Sequence, residues 1–479
     1  MTDSAFLRSR SAALALIVLA QFMVVLDMSI VNVALDAIKS SLGFSQTGLQ
    51  WVITAYALVF GGFLLLGGRV GDLFGRRRLF MIGLLVFSAG SALGALSWSA
   101  GSLIAFRALQ GLGGALFAPA GLSLLMTTFA EGRGRNTAVG VWAAASGSGG
   151  ATGVLLGGAL TSYLSWPWIF LINVPVGVVV ALLSPRFLPE AKRLEGHRHF
   201  DVAGAGSVTA SLMVFVYALT YGTQHAWSSP VTIGLLAVSA VLLAAFVRIE
   251  QRAAAPLMPL GILRVRTLAA GNFLTVVLAS IAFSNFFLLA LYLQEVRGYS
   301  AAQNGAAFAV IAAIIATFSN VVGPLVRRFG PRPVLVAGLA LVTASQALLT
   351  QLPVHGSYVT NLLPAFVLQG FGFSLAWVSV TTASIAGVAP ADAGIASGIT
   401  NTARQIGGAV GLAVVSTIAS SYGAGDAAEL THGFRVAFTV LAALGAVAVA
   451  VAAKFLVPQP HRTAAERVED EQPLLVEAA

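Results

Sequence analysis

Long apolar runs separated by short polar stretches fill most of this chain. A helix needs about 20 apolar residues to cross a bilayer, whereas strands of a membrane barrel alternate over about ten residues. The runs are too long and too evenly apolar for strands, so they predict transmembrane helices. The fourteen predicted spans are 11–35, 49–70, 79–98, 101–127, 137–164, 167–186, 202–221, 230–248, 268–293, 302–326, 333–352, 358–388, 393–421 and 434–456.

Composition supports an all-α polytopic membrane protein. The 479 residues are 57% hydrophobic and 9% charged, whereas soluble domains average about 25% charged residues. The first apolar run continues past the length of a signal peptide, so it is expected to be a retained span. The sequence has no cysteine, which excludes disulfides, thiol chemistry and cysteine-bound metals.

The basic residues predict the orientation. With the N-terminus inside, 22 of the 27 Lys and Arg residues fall in cytoplasmic segments, three fall outside and two lie within spans. This bias predicts that both termini are cytoplasmic. It also accounts for the net charge of +9 through anionic lipid at the inner surface, so no nucleic-acid partner is expected.

An internal repeat divides the chain. The loop "GRVGDLFGRRRL" from Gly68 matches "GPLVRRFGPRPV" from Gly323, and each follows the second helix of its half. Such repeats are typical of secondary transporters, which bind substrate at the repeat interface. The predicted units are an N-terminal six-helix bundle at 1–190, linkers with two inserted helices at 191–255, a C-terminal six-helix bundle at 256–457 and a disordered cytoplasmic tail at 458–479.

Charged residues within spans are functional candidates. At 1.5 Å per residue, Asp27 lies about 24 Å from the cytoplasmic start of the first span, and Arg107 lies about 9 Å below the outer surface on the fourth. The two therefore fall at similar depth, and Gln110 shares the helical face of Arg107. Desolvation and a nearby arginine act on a carboxylate in opposite directions, so Asp27 is a candidate proton site. Alternatively, Arg107 extends to the outer interface.

Two further charged residues, Arg404 and Glu295, are not assigned to the proton site. Arg404 lies near the midplane, where binding a substrate anion and bonding backbone carbonyls are both open roles. Glu295 is expected to be solvated at the outer end of its helix.

Other chemistry is not indicated. All six histidines fall in loops or the tail, and no metal-ligand spacing or P-loop is present. We expect neither enzymatic activity nor a catalytic residue, and neither a metal nor a cofactor, with a proton gradient as the energy source.

Several motifs, in order and on the expected helices, resemble the major facilitator superfamily and its fourteen-helix drug:proton antiporters. The resemblance covers nearly the whole chain. The motifs are "LDMSIVNVAL" from Leu26, the loop 2–3 signature Gly68, Asp72, Gly75 and Arg76, "RALQGLGGA" from Arg107, and "WPWIFLINVPVG" from Trp166. The antiporter signature on helix 5 is present as Gly149, Gly153, Gly157 and Gly158, but Val154 replaces its proline, and Pro167 occupies a position that is often basic.

The resemblance implies a mechanism. Asp72 would act as a conformational latch in loop 2–3, whereas simple charge anchoring suffices for Arg77 and Arg78. The glycines of helix 5 form a flat face for close helix packing. Asp27, Arg107 and Gln110 would couple transport to protons. Candidate residues of the substrate cavity are Asn32, Phe117, Asn285, Phe286, Gln369, Phe373 and Trp377.

The predicted function is therefore a proton-coupled exporter of hydrophobic drugs or antibiotics in the bacterial inner membrane. Its substrates are expected to be neutral or to carry one positive charge, because Asp27 is the one acid deep within a predicted span. The alternative is an importer or exchanger of a nutrient on the same fold, for which Asn272 and Asn401 offer further polar contacts. We expect a monomer in the lipid bilayer.

Overall fold

A computed structural model describes residues 3–129, 133–190, 201–253, 261–262, 265–385, 393–422 and 426–455. Among these residues the regular secondary structure is helical and no strand occurs. The predicted tail at 458–479 and residues 191–200 of the predicted linker region lie outside the described ranges.

Fourteen long helices occupy the described ranges, and each overlaps one predicted span. They are α1 Asp3–Leu42, α2 Trp51–Phe74, α3 Arg76–Ala95, α4 Ala100–Thr128, α5 Arg133–Tyr163, α6 Asn173–Phe187, α7 Val202–His225, α8 Pro230–Glu250, α9 Arg266–Leu291, α10 Ala301–Phe329, α11 Pro331–Leu349, α12 Leu363–Ile385, α13 Ala393–Ser421 and α14 Ala427–Phe455. A π-helical segment, Tyr292–Val296, continues α9, and four-residue helices precede α2, α6 and α12.

Length and apolar composition qualify eleven of these helices as membrane spans, counted over the described residues. The three others are α2, α5 and α13. The count of fourteen spans and the cytoplasmic termini stay predictions.

The repeated loops have the same backbone geometry in both halves. Gly75 ends α2 with φ of 102° and Gly330 ends α10 with φ of 82°, a region that glycine adopts without strain. Arg77 donates to the carbonyl of Leu188 at the end of α6, and Arg332 donates to that of Ala453 in the last turn of α14. The loop arginines therefore tie the start of the third helix of each half to the end of its sixth.

Glycines also let paired helices cross closely in both halves. A Cβ at Gly83 of α3 would lie 2.7 Å from the backbone nitrogen of Phe117 on α4. A Cβ at Gly338 of α11 would lie 2.7 Å from the backbone nitrogen of Ala376 on α12. Matching close crossings in the two halves hold α4 and α12 at corresponding positions.

The inserted pair α7–α8 lies at one side of the seam between the halves. Thr209 of α7 donates to the carbonyl of Gly62 on α2 at 2.8 Å, and α7 also lines a pocket with α13. Ser211 and Ser239 exchange hydrogen bonds that join α7 to α8. The outer face of α8 is largely exposed, as expected for a lipid-facing helix.

Candidate functional site

Asp27 and Arg107 form a direct buried ion pair. Nη1 of Arg107 donates to Oδ2 of Asp27 at 2.6 Å. The relative exposure is 0% for Asp27 and 1% for Arg107. The alternative in which Arg107 extends to the outer interface is therefore excluded in this conformation.

Three polar side chains complete the surroundings of the carboxylate. Gln110 and Asn173 donate to Oδ1 of Asp27 at 3.0 and 2.9 Å. Both amides also donate to Ser91 Oγ, at 2.7 and 3.1 Å. Nη1 of Arg107 also donates to the side-chain oxygen of Gln110 at 2.9 Å. The network therefore joins α1, α3, α4 and α6 around one acid.

Backbone and aromatic groups hold the guanidinium of Arg107. Its Nε donates to the carbonyl of Val52 at 2.9 Å. Its Cζ lies 4.4 Å from the ring centroid of Tyr56 and 5.7 Å from that of Phe170, within range of cation–π attraction. Arg107 thus keeps several contacts that do not depend on the charge of Asp27.

The hydrogen bonds of Asp27 bear directly on the cost of burying its charge. In the low-dielectric interior the ion pair requires its hydrogen bonds to offset desolvation. A protonated Asp27 would still accept from the two amides through Oδ1. The two amide contacts are therefore compatible with either charge of the carboxyl group.

The glycine face of α5 packs directly beside this site. A Cβ at Gly149 would lie 2.9 Å from the carbonyl oxygen of Phe22, and one at Gly157 would lie 2.7 Å from that of Ile30. Gly153 faces the carbonyl of Leu26, next to Asp27 in the chain. The predicted close packing is thus present, and its partner is α1.

Gly158 faces the other half of the molecule. A Cβ there would lie 2.7 Å from the carbonyl oxygen of Ala301, and one at Gly305 would lie 2.7 Å from that of Val154. Val154 itself is buried in α5, where the family motif has proline. The helix 5 motif therefore contacts α1 with three glycines and α10 with the fourth.

Gly153→Ala should reduce transport strongly, because its Cβ would lie 2.7 Å from the carbonyl oxygen of Leu26 and closer still to Ser29 Oγ. The carbonyl of Leu26 is part of the α1 backbone, so the steric clash can be relieved only by shifting α1. Gly150→Ala is the matched control, since the nearest atom to its Cβ is Val25 Cγ1 at 3.9 Å. The measurement is export rate at equal amounts of folded protein, and equal rates in the two variants would refute the assignment.

The two halves contact each other at their predicted external ends. Lys39 of α1 forms an ion pair with Glu295 at 2.6 Å, and Gln294 donates to the carbonyl of Val33 at 2.8 Å. The prediction that Glu295 is solvated was wrong, because its side chain is 12% exposed and paired across the seam. Gln294 and Glu295 both belong to the π-helical segment.

Loop 2–3 is described in part. Gly68 lies against Pro119 of α4, and Gly75 and Arg76 form the junction of α2 and α3. The side chain of Asp72 lies outside the described part of the structure, so its latch role stays a prediction. Arg77 and Arg78 both lie within ion-pair distance of Glu190. The sequence predicted only that these arginines anchor the loop at the inner surface, and it did not predict this partner.

The predicted cavity residues fall into two groups. Asn285 and Gln369 exchange hydrogen bonds at 3.0 and 2.8 Å, and Phe286 and Phe373 stack nearby with centroids 6.4 Å apart. Gln346, which the sequence interpretation missed, also donates to Asn285 at 3.3 Å. Trp377 is half-buried on α12.

Asn32 and Phe117 lie away from that group. Asn32 donates to the carbonyl of Met28 in its own helix at 3.0 Å. Phe117 is fully buried and packs edge-on against Phe80 and Phe87 in the core of the first half. Arg404 donates to the side chain of Asn401 at 2.6 Å, on the same turn of α13.

Comparison with curated proteins places antibiotic exporters among the relatives of this chain. The puromycin resistance protein pur8 of Streptomyces alboniger is 41% identical over 92% of this chain and 87% of its own length. The cephamycin export protein CmcT of Amycolatopsis lactamdurans is 39% identical, covering 90% of each chain.

Solved structures share the fold. A peptide transporter of the POT family, crystallised in complex with sulfate, matches with a TM-score of 0.70 at 15% identity, covering 93% of this chain and 95% of that one. The family model described as Major Facilitator Superfamily matches residues 17–412 and 273–478. The chain therefore belongs to the Major Facilitator Superfamily, as a multi-pass membrane transporter related to antibiotic-resistance exporters.

Proposed function

We propose that this transporter is a proton-coupled exporter of hydrophobic small molecules that works by alternating access. The observation that carries the proposal is the fully buried Asp27–Arg107 pair, held by two amides that can serve both protonation states. Intramembrane acids paired in this way mark proton paths in transporters. The proton gradient would supply the energy.

The contacts between the halves support an inward-facing state with the predicted external side closed. Lys39–Glu295 and the Gly158–Gly305 contact lie at that side. In this state the substrate would enter from the cytoplasm. Opening to the outside would separate these contacts. Alternating access depends on contacts between the halves that form in one state and break in the other.

Helix α5 offers a physical connection between the proton site and the seam. Gly153 contacts the backbone of α1 beside Asp27, and Gly158 contacts α10 further along the same helix. Protonation of Asp27 would weaken its pairing with Arg107 and change the position of α1. Because α5 packs against the backbone of α1, a movement of α1 would also move α5 and its contact with α10 in the other half.

The relatives support the substrate class. Their names include puromycin resistance and cephamycin export, and we extend export of antibiotic-like molecules to this chain. The amides of Asn285 and Gln369 bond to each other, which leaves them less available to a polar nutrient. We place the exporter in the bacterial inner membrane as a monomer with a neutral or singly cationic substrate.

The test uses the purified chain in lipid vesicles containing a pH-sensitive dye. Adding puromycin, as the probe drug, to the cytoplasmic side should move protons in the opposite direction, and an imposed pH gradient should drive drug accumulation. A rate of drug transport that is the same with and without the pH gradient would contradict proton coupling. Co-directional movement of drug and protons would favour the importer.

A further inference from the structure

The third helices of the two halves, α3 and α11, carry buried polar residues at matching positions. Gly83 and Gly338 mark the match, because they make corresponding close crossings with α4 and α12. Counted from these glycines, Gln346 of α11 occupies the position of Ser91 on α3, and both side chains are fully buried. Ser91 accepts hydrogen bonds from the amides around Asp27, so its counterpart lies at the equivalent point of the second half.

The fourth helices, α4 and α12, share the motif "LQG". Its glutamine is Gln110 in α4 and Gln369 in α12, and the close crossings follow it at the same distance in both helices. Three residues before the glutamine, α4 has Arg107 and α12 has Phe366. Phe366 is buried and stacks on Phe308 of α10 with ring centroids 5.5 Å apart. The second half therefore repeats an amide of the proton site but not its cation.

The amides of the second half form a network of the same kind. Nε2 of Gln369 donates to Oδ1 of Asn285 at 2.8 Å, and Nε2 of Gln346 donates to the same oxygen at 3.3 Å. In the first half, Nε2 of Gln110 donates to Oδ1 of Asp27 at 3.0 Å. Asn285 lies on α9, which is the first helix of its half as α1 is of the other. A fully buried asparagine thus receives hydrogen bonds like those of the aspartate.

The second network contains no group that gains or loses a proton near neutral pH. Nδ2 of Asn285 also donates to Oε1 of Gln369 at 3.0 Å, so these two amides serve each other as donor and acceptor. All four acids of residues 256–457 fall outside the predicted spans, namely Glu295, Asp392, Asp426 and Glu429. Asp27 therefore has no acidic counterpart within the predicted spans of the second half.

We propose that Asn285, Gln346 and Gln369 form a neutral counterpart of the proton site, which confines the response to protons to the first half, an inference that rests on the proton-coupled export proposed above. The amide bonds hold α9, α11 and α12 together in every state, because no member of the network changes its charge. The first bundle changes its contacts when Asp27 is protonated. The second bundle moves as a body whose internal contacts are independent of pH.

Matched substitutions in the two networks test this assignment. Gln110→Leu and Gln369→Leu each remove one buried amide at corresponding positions, and both should lower the unfolding temperature. Gln110→Leu removes a donor to the charged carboxylate of Asp27. The pH at which transport is half-maximal should therefore shift by about one unit toward alkaline pH. Gln369→Leu should keep the half-maximal pH of wild type, even if its rate is lower.

The measurement is puromycin transport by the full chain in lipid vesicles over a range of pH. Wild type is the reference, because the protonation of puromycin itself is common to all three proteins. If Gln369→Leu shifts the half-maximal pH as far as Gln110→Leu does, both halves respond to protons and the proposal is overturned.

Asn285→Asp tests whether the second network must stay neutral. A protonated aspartic acid can donate to Oε1 of Gln369 and accept from Gln346, as the asparagine does. The ionised acid lacks the donor and has no cation at the position that matches Arg107. The unfolding temperature in detergent micelles should therefore be near that of wild type at acidic pH and fall below it as the pH rises. A difference from wild type that is absent at every pH, or that does not change with pH, would overturn the neutral role.

The outcome is separable from that of the export function. Drug transport that is independent of the pH gradient would retract proton-coupled export and, with it, the confinement of the proton response to the first half. Proton-coupled transport with equal pH shifts in the two glutamine variants would retract only the neutral role of the second network.

Discussion

Asp27→Asn should leave the chain folded in the membrane and reduce drug-driven proton release to background. Asparagine resembles the protonated acid in shape and charge, so it fixes the site in one of its two proposed states. A proton exchanger that cannot change protonation state cannot couple the gradient to transport. This is the largest functional effect expected from a single side-chain exchange.

The Asp27→Asn variant should fold because the other contacts of the polar network are kept. The side-chain oxygen of the introduced asparagine can still accept from Gln110 and Asn173, as Oδ1 of Asp27 does. Arg107 loses its counterion but keeps the carbonyl of Val52 and the ring of Tyr56. A proton cycle would itself pass through a neutral Asp27, so the neutral side chain must be tolerated.

Asp36→Asn provides the matched control. Asp36 lies on the same helix but is exposed, so its replacement should leave proton release and drug resistance near wild type. Both variants are compared in vesicles with a pH dye and in cells by susceptibility to a compound panel. Normal drug-driven proton release in the Asp27 variant would refute the proton-site assignment.

The sequence predicted the centre of this site but not its surroundings. Helical rise placed Asp27 and Arg107 at similar depth, and helical periodicity placed Gln110 on the face of Arg107, which are properties of single helices. Ser91 and Asn173 were missed because their role depends on how α3 and α6 pack against α1. The available signal was that each is a polar residue within an apolar span. Asn173 also belongs to the motif that begins at Trp166.

Side-chain partners between the halves were the least predictable feature. Glu295 was expected in solvent because its position on a single helix indicates depth only. Its pairing with Lys39 joins side chains 256 residues apart in the chain, which no single-helix pattern indicates. The fold was more accessible, since apolar length and the repeated loops are encoded locally and both loop glycines have the positive φ that ends a helix.

Arg107→Leu is expected to cause the largest loss of stability. The change leaves Asp27 buried with two amide donors but without its cation, and breaking a buried ion pair from one side costs about 3–5 kcal/mol. It also removes the cation–π contact with Tyr56 and the bond to Val52. The measurement is the free energy of unfolding in detergent micelles, by denaturant titration with wild type as the reference.

Adding Asp27→Asn to Arg107→Leu should recover much of that loss, because the unpaired charge is then removed as well. Transport should remain absent in the double variant, since the proton site is gone. Recovery of stability without recovery of function separates the structural role of the pair from its role in coupling. If Arg107→Leu alone unfolds at the same free energy as wild type, the guanidinium does not compensate Asp27. The proton site would then have to be assigned without its cation, with the amides of Gln110 and Asn173 as the groups that stabilise the charge.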